Sequence, residues 1–232
     1  MADALRQAAA LNDPEAECVI LLHGLGRTKW SMRAIESALT SDGYQVWNQS
    51  YPSTSDTIEK LSVSHIDNGL SYCRQLKARR IHFVTHSMGG ILVRSYLQNH
   101  QIHELGNIAM LSPPNKGSEV VDHLQDMFVF QWLLGPAAQE LGTSLTSLPN
   151  QLLPIESTVG IITGDNSSDP WFSPIIDGDD DGKVSVNSAK LDEMTDFLIV
   201  HRGHTFIMQD AFVINEILVF LKTDRFTKSP SI

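Results

Sequence analysis

Short apolar runs recur along this chain with helix-length segments between them, and that alternation restricts the fold more than any other feature. "ECVILLHG" (Glu17 to Gly24) is continuously apolar and ends in glycine, as a strand buried on both faces does. "YQVWNQSYP" (Tyr44 to Pro52), "IHFVTHS" (Ile81 to Ser87), "NIAMLSPP" (Asn107 to Pro114), "VGIITGD" (Val159 to Asp165) and "DFLIV" (Asp196 to Val200) follow. Between them, apolar residues fall at helical spacing over Met32 to Leu39, Thr57 to Lys77 and Gly89 to Leu97, and a last helix is expected over Phe206 to Lys222. Strands separated by helices need crossovers, and crossovers give a parallel sheet. The expected fold class is α/β: a doubly wound, mainly parallel sheet of about six strands with helices on both faces. Lys116 to Pro154 contains no strand and is expected to form a cap insertion of one or two helices (116–154) within a single domain spanning 1–232.

The 232 residues suffice for one domain with a sizeable core. A hydrophobic share of 42% and a charged share of 19% exclude a disordered chain. The net charge of −10 argues against nucleic acid and anionic membrane as partners, since both repel a negative surface. The short basic stretch Lys77 to Arg80 suits the negative end of the preceding helix better than a binding patch. Cys18 and Cys73, outside any CxxC pair, suggest a reduced compartment or simple core filling, with a single bridge as the alternative. The N-terminus has no apolar segment of signal-peptide type, and no run approaches the ~18 residues of a membrane span. The expected setting is therefore cytoplasmic, without stable membrane insertion. Oligomeric state is not legible.

Ser87 stands in "FVTHSMGG", between a strand and a helix. Thr85 to Gly89 fits the G-x-S-x-G nucleophile elbow with threonine in place of the first glycine. Small residues serve a sharp turn that crowds the backbone and lifts the serine above it. The plainer alternative is a serine that caps the following helix.

A serine hydroxyl needs a general base, itself oriented by a third group. In elbow enzymes the order along the chain is serine, acid, histidine. His204, in the loop before the closing helix, falls on the same sheet edge as Ser87, with His201 the second choice. His86 adjoins the serine, and consecutive side chains on such a turn are expected to point apart. The acid is expected in "DGDDDGKVSVNSAKL" (Asp177 to Leu191), with Asp181 preferred, then Asp165, then Asp180. Asp177, Asp179 and Asp181 also open a calcium-loop pattern, but its twelfth position is Ser188 instead of glutamate. A solvated acidic turn is the favoured reading, and a looser calcium contact at Asp177 or Asp179 the alternative. No metal and no cofactor is called for. Oxyanion donors are expected from the N–H groups of Met88 and of Leu25 in "HGLGRTKW", with His23 holding that loop.

With "HGLGRTKWSM", "THSMGG", "LSPPNKGS", "DGKVSVNSA" and "GHTFIM" in this order, the chain resembles the α/β-hydrolase superfamily, above all its bacterial lipase and esterase branch. The likeness runs from about Glu17 to Lys222. It implies a sheet of six or more parallel strands, an oxyanion hole at Leu25 and Met88, and a triad of Ser87, Asp181 and His204. Thr85 departs from the strict elbow, and the antiparallel strands that open larger members are not expected.

The apolar "MFVFQWLL" (Met127 to Leu134) of the insertion offers Phe128 and Trp132 as one wall of an acyl pocket, with ordinary packing on the sheet or a mobile lid as alternatives. Trp30 and the pair Trp171-Phe172 are candidates for further apolar lining. The expected activity is hydrolysis of a small acyl ester through an acyl-enzyme. A thioesterase, an amidase or an acyltransferase could use the same groups, and a binding protein could keep the fold without the chemistry.

Overall fold

The computed structural model describes residues 16–124, 128–167 and 172–227, and for residues 128–133 the backbone alone. Six strands form one sheet: β1 (Glu17–Leu22), β2 (Gln45–Asn48), β3 (Arg80–His86), β4 (Leu105–Leu111), β5 (Val159–Gly164) and β6 (Asp196–Val200). Every pairing is parallel, in the order β2-β1-β3-β4-β5-β6. The expected α/β architecture is what the chain adopts.

Alternation along each strand divides the core in two. Cys18, Ile20 and Leu22 of β1 join Phe83 of β3 and Met110 of β4 on one face. That face is covered by α2 (Ile58–Gln75) and α3 (Met88–Asn99). Val19 and Leu21 join Val84, Ala109 and Leu111 on the other, under α1 (Arg33–Ser41) and α8 (Ala211–Thr223). Residues 0% exposed on both faces explain the unbroken apolar runs, because a strand covered twice has no polar side.

The insertion carries three helices among the described residues, one more than the upper expectation: α4 (Glu119–Leu124), α5 (Phe128–Gln139) and α6 (Leu148–Gln151). α5 is kinked at Gly135, where φ is 71° and Pro136 restarts the helix. A four-residue helix, α7 (Val186–Ala189), lies between β5 and β6. β2 is shorter than expected, since the chain leaves the sheet at Asn48, whose side chain donates to Glu36 Oε2 at 2.8 Å. The closing helix begins at Ala211 instead of Phe206, because the Asp210 carboxylate caps the N–H groups of Phe212 and Val213.

Cys18 and Cys73 are joined in a disulfide that ties β1 to α2. The alternative of a single bridge thus replaces the reduced, core-filling pair. Among the described residues, no helix is long and apolar enough to cross a membrane.

Candidate active site

The strand order reverses at β1, whose neighbours are β2 on one side and β3 on the other. Open α/β sheets bind ligands at the carboxyl ends of strands beside such a reversal. The loop after β1 and the turn after β3 meet here, since Leu22 pairs with Thr85. A cavity of about 450 Å³ opens at this point, lined by Leu25, Ser87 and His204 among others.

Ser87 has φ 54° and ψ −125°, a conformation costly for any residue with a Cβ. Its side chain makes no capping bond to α3, so the helix-cap alternative falls. Two glycines make the turn possible. A Cβ on Gly89 would stand 2.6 Å from the Leu22 carbonyl oxygen, so only glycine lets α3 sit this close to β1. A Cβ on Gly90 would stand 3.1 Å from Pro113 Cβ and 3.3 Å from Met110 Sδ, tighter than ordinary contact.

Asp181 and His204 come together as the spacing suggested. His204 Nδ1 lies 2.8 Å from Asp181 Oδ2, and both side chains are buried. The other carboxylate oxygen accepts from the N–H groups of Lys183 at 3.1 Å and Val184 at 2.9 Å. Burial pushes the Asp181 pKa up, but the charge and hydrogen bond of His204 outweigh it and hold the group below its ordinary value. The nearby Ser112 hydroxyl adds to this lowering. With Nδ1 engaged, Nε2 is the ring nitrogen left unbonded among the described residues, and His204 and Ser87 line the same cavity.

The second choices occupy other positions. His201 Nδ1 pairs with Asp165 Oδ1 at 3.0 Å on the surface, where the His201 side chain is 75% exposed. Asp180 fixes the acidic loop, accepting from Ser173 Oγ at 2.9 Å and from the Gly182 N–H at 2.6 Å. Asp177 and Asp179 are exposed.

The loop after β1 is anchored through His23. Its Nε2 accepts from the Tyr51 N–H at 3.2 Å, so Nδ1 carries the proton and donates to the Gly24 carbonyl at 2.9 Å. Burial lowers its pKa to about 4, which keeps the ring neutral for both roles. Ser53 Oγ accepts from the Gly26 N–H at 2.9 Å. Among the described residues, neither the Leu25 nor the Met88 N–H has a hydrogen-bond partner.

Other residues depart from expectation. His86 does not turn away from the site: its Nε2 donates to the His204 carbonyl at 3.0 Å, and the two rings lie 4.8 Å apart. Trp30 does not line the cavity. It sits in a 3₁₀ turn (Lys29–Met32) that buries Met32 and leaves Trp30 65% exposed, flanked by the Lys29 and Arg33 cations. The side chains of Phe128 and Trp132, and Trp171 entirely, lie outside the described residues. The apolar lining that is described includes Val121, Leu124, Leu134, Leu141 and Phe172. Sequence reasoning missed Tyr51, Ser53 and Ser112, which touch the site only through chain-distant contacts. The signal that existed was their position just beyond the ends of β2 and β4.

Among solved structures, the fold is similar to that of Bacillus licheniformis lipase BlEst2 in mature form, with a TM-score of 0.71 and 17% identity over 91% of this chain and 93% of that one. The Pyrococcus furiosus esterase Pf2001 aligns with a TM-score of 0.63 and 18% identity, covering 90% of this chain and 82% of that one. Phospholipase PlaB from Legionella pneumophila aligns at 0.61 and 16%, covering 75% of this chain and 46% of that one. No curated protein matches the sequence. A sequence model of the palmitoyl protein thioesterase family matches residues 18–149, more than half of the chain. With an α/β-hydrolase sheet beneath this match, the chain belongs to the palmitoyl protein thioesterase family.

Proposed function

We propose that the protein is a serine hydrolase of acyl esters, with Ser87 as nucleophile, His204 as general base and acid, and Asp181 as the group that orients the imidazole. The observation that carries this reading is the buried His204–Asp181 pair, 2.8 Å apart, facing the same cavity as the strained Ser87. His204 Nε2 takes the hydroxyl proton as Oγ attacks the carbonyl carbon, and the N–H groups of Leu25 and Met88 receive the oxyanion. The proton then passes to the departing alcohol or thiol, and water repeats the cycle to release the acid.

The family match favours a thioester beside the oxygen ester expected from the sequence. Apolar lining on α4 and α5 supports an acyl chain as the bound portion. The disulfide supports an oxidising setting in place of the cytoplasm. A fluorophosphonate probe tests the nucleophile: wild type labels and Ser87→Ala does not. Equal labelling of both would reject Ser87. Nitrophenyl esters and matched acyl thioesters of increasing chain length then rank the substrates.

A further inference from the structure

We infer that the cavity takes acyl substrates whose leaving portion carries an anionic group, carboxylate or phosphate, and that Arg27 pairs with it. This rests on the serine-hydrolase reading and names its substrate class.

The chain has 27 acidic and 17 basic residues, so a cavity placed at random on it would face more carboxylates than cations. The cavity beside Ser87 reverses this. Arg27 and Lys183 line it, and among the described lining residues there is no Asp or Glu. Neither cation has a carboxylate partner among the described residues. Both are half-buried, where an unpaired charge has lost part of its hydration without an opposite charge in return.

Arg27 is held in place. One Nη2 hydrogen bond reaches the Thr205 carbonyl at 3.2 Å, next to His204 in the chain, and its backbone N–H donates to Gly24. The rest of the guanidinium fork has no described protein acceptor. A planar fork fixed on one side and free on the other suits a carboxylate or phosphate bound by two N–H groups. The Lys183 ammonium stands 5.4 Å from the Phe172 ring centroid and adds a second positive charge. Since the apolar lining suits the acyl chain, the charge belongs on the leaving portion of the substrate.

The test compares 4-butyryloxybenzoate, its neutral methyl ester and 4-butyryloxyphenyl phosphate as substrates of wild type, Arg27→Ala and Arg27→Gln. The glutamine variant keeps an N–H donor for Thr205. Loss of a charge-assisted hydrogen bond predicts that both variants lose roughly ten- to a hundred-fold more kcat/KM on an anionic substrate than on the methyl ester, with the loss in KM. A loss confined to the benzoate assigns the pairing to carboxylates, and one confined to the phosphate assigns it to phosphates. Equal losses on all three substrates, falling on kcat, would overturn the inference and leave Arg27 a support of the Thr205 loop. Wild type that turns over the neutral ester without any Arg27-dependent preference overturns the inference alone. Wild type that turns over none of the three removes the hydrolase reading, and the inference with it.

Discussion

Asp181 holds His204 twice: its main-chain carbonyl accepts from the His204 N–H at 2.8 Å, and its carboxylate meets Nδ1 at 2.8 Å. One bond sets where the residue sits, and the other sets the tautomer of the ring. Asp181→Asn keeps the size and removes the charge, so kcat on a nitrophenyl ester is expected to fall by about three to four orders of magnitude. A variant retaining a tenth of the wild-type rate rejects the role given to Asp181.

Acid is expected to destabilise the fold in two stages. Burial lowers His23 and His65 to about 4 and His86 well below its ordinary value. Between those values and the unfolded value of about 6.5, the unfolded chain binds more protons, so stability falls as pH falls. The slope is at most about 1.4 kcal/mol per pH unit for each histidine. Asp181 is depressed instead, so its contribution is present above about pH 3.9 and is lost only as pH drops further, through its folded value. Urea midpoints from pH 8 to 3 test the order. His65→Phe, at a ring packed between Trp47 and Tyr51, should flatten the first stage. An unchanged slope in that variant counts against it.

Thr85 Oγ1 is buried without a hydrogen-bond partner among the described residues. Thr85→Val removes that hydroxyl at nearly constant shape, and a gain of about 1 kcal/mol in unfolding free energy is expected. A lower urea midpoint would mean that the hydroxyl has a partner in solution.

The Cys18–Cys73 bridge closes a separation of 55 residues. Chain-entropy arguments put its contribution at up to about 4 kcal/mol. Replacing both cysteines by alanine should lower Tm by several degrees, and reductant should bring the wild type to the same Tm. A wild-type Tm insensitive to reductant argues that the bridge does not form.

Much of the fold was legible because its signals are local. β1 and β6 follow their apolar runs, and α2 follows its stripe of Ile58, Leu61, Ile66 and Leu70. The turn at Ser87 was legible because strand, small residues and helix succeed one another within a few positions. The second-choice pair, His201 and Asp165, was placed at the right sheet edge, yet its members bond to each other at the surface. Trp30 was misread because a 3₁₀ turn decides which of four neighbouring side chains faces inward, and Met32 takes that place.

The sequence by itself determined the alternation of strand and helix, the strained serine turn, and the order of serine, acid and histidine. Those follow from side-chain periodicity and from turn sterics, both of which act between residues close in the chain. Tertiary structure alone decided that His86 holds the His204 carbonyl across 118 positions and that Arg27 meets Thr205 across 178. It likewise decided that a chain of net charge −10 places two cations, without a carboxylate partner among the described residues, at one cavity. Such contacts depend on which loops the sheet order brings to one edge, and no local pattern carries that information.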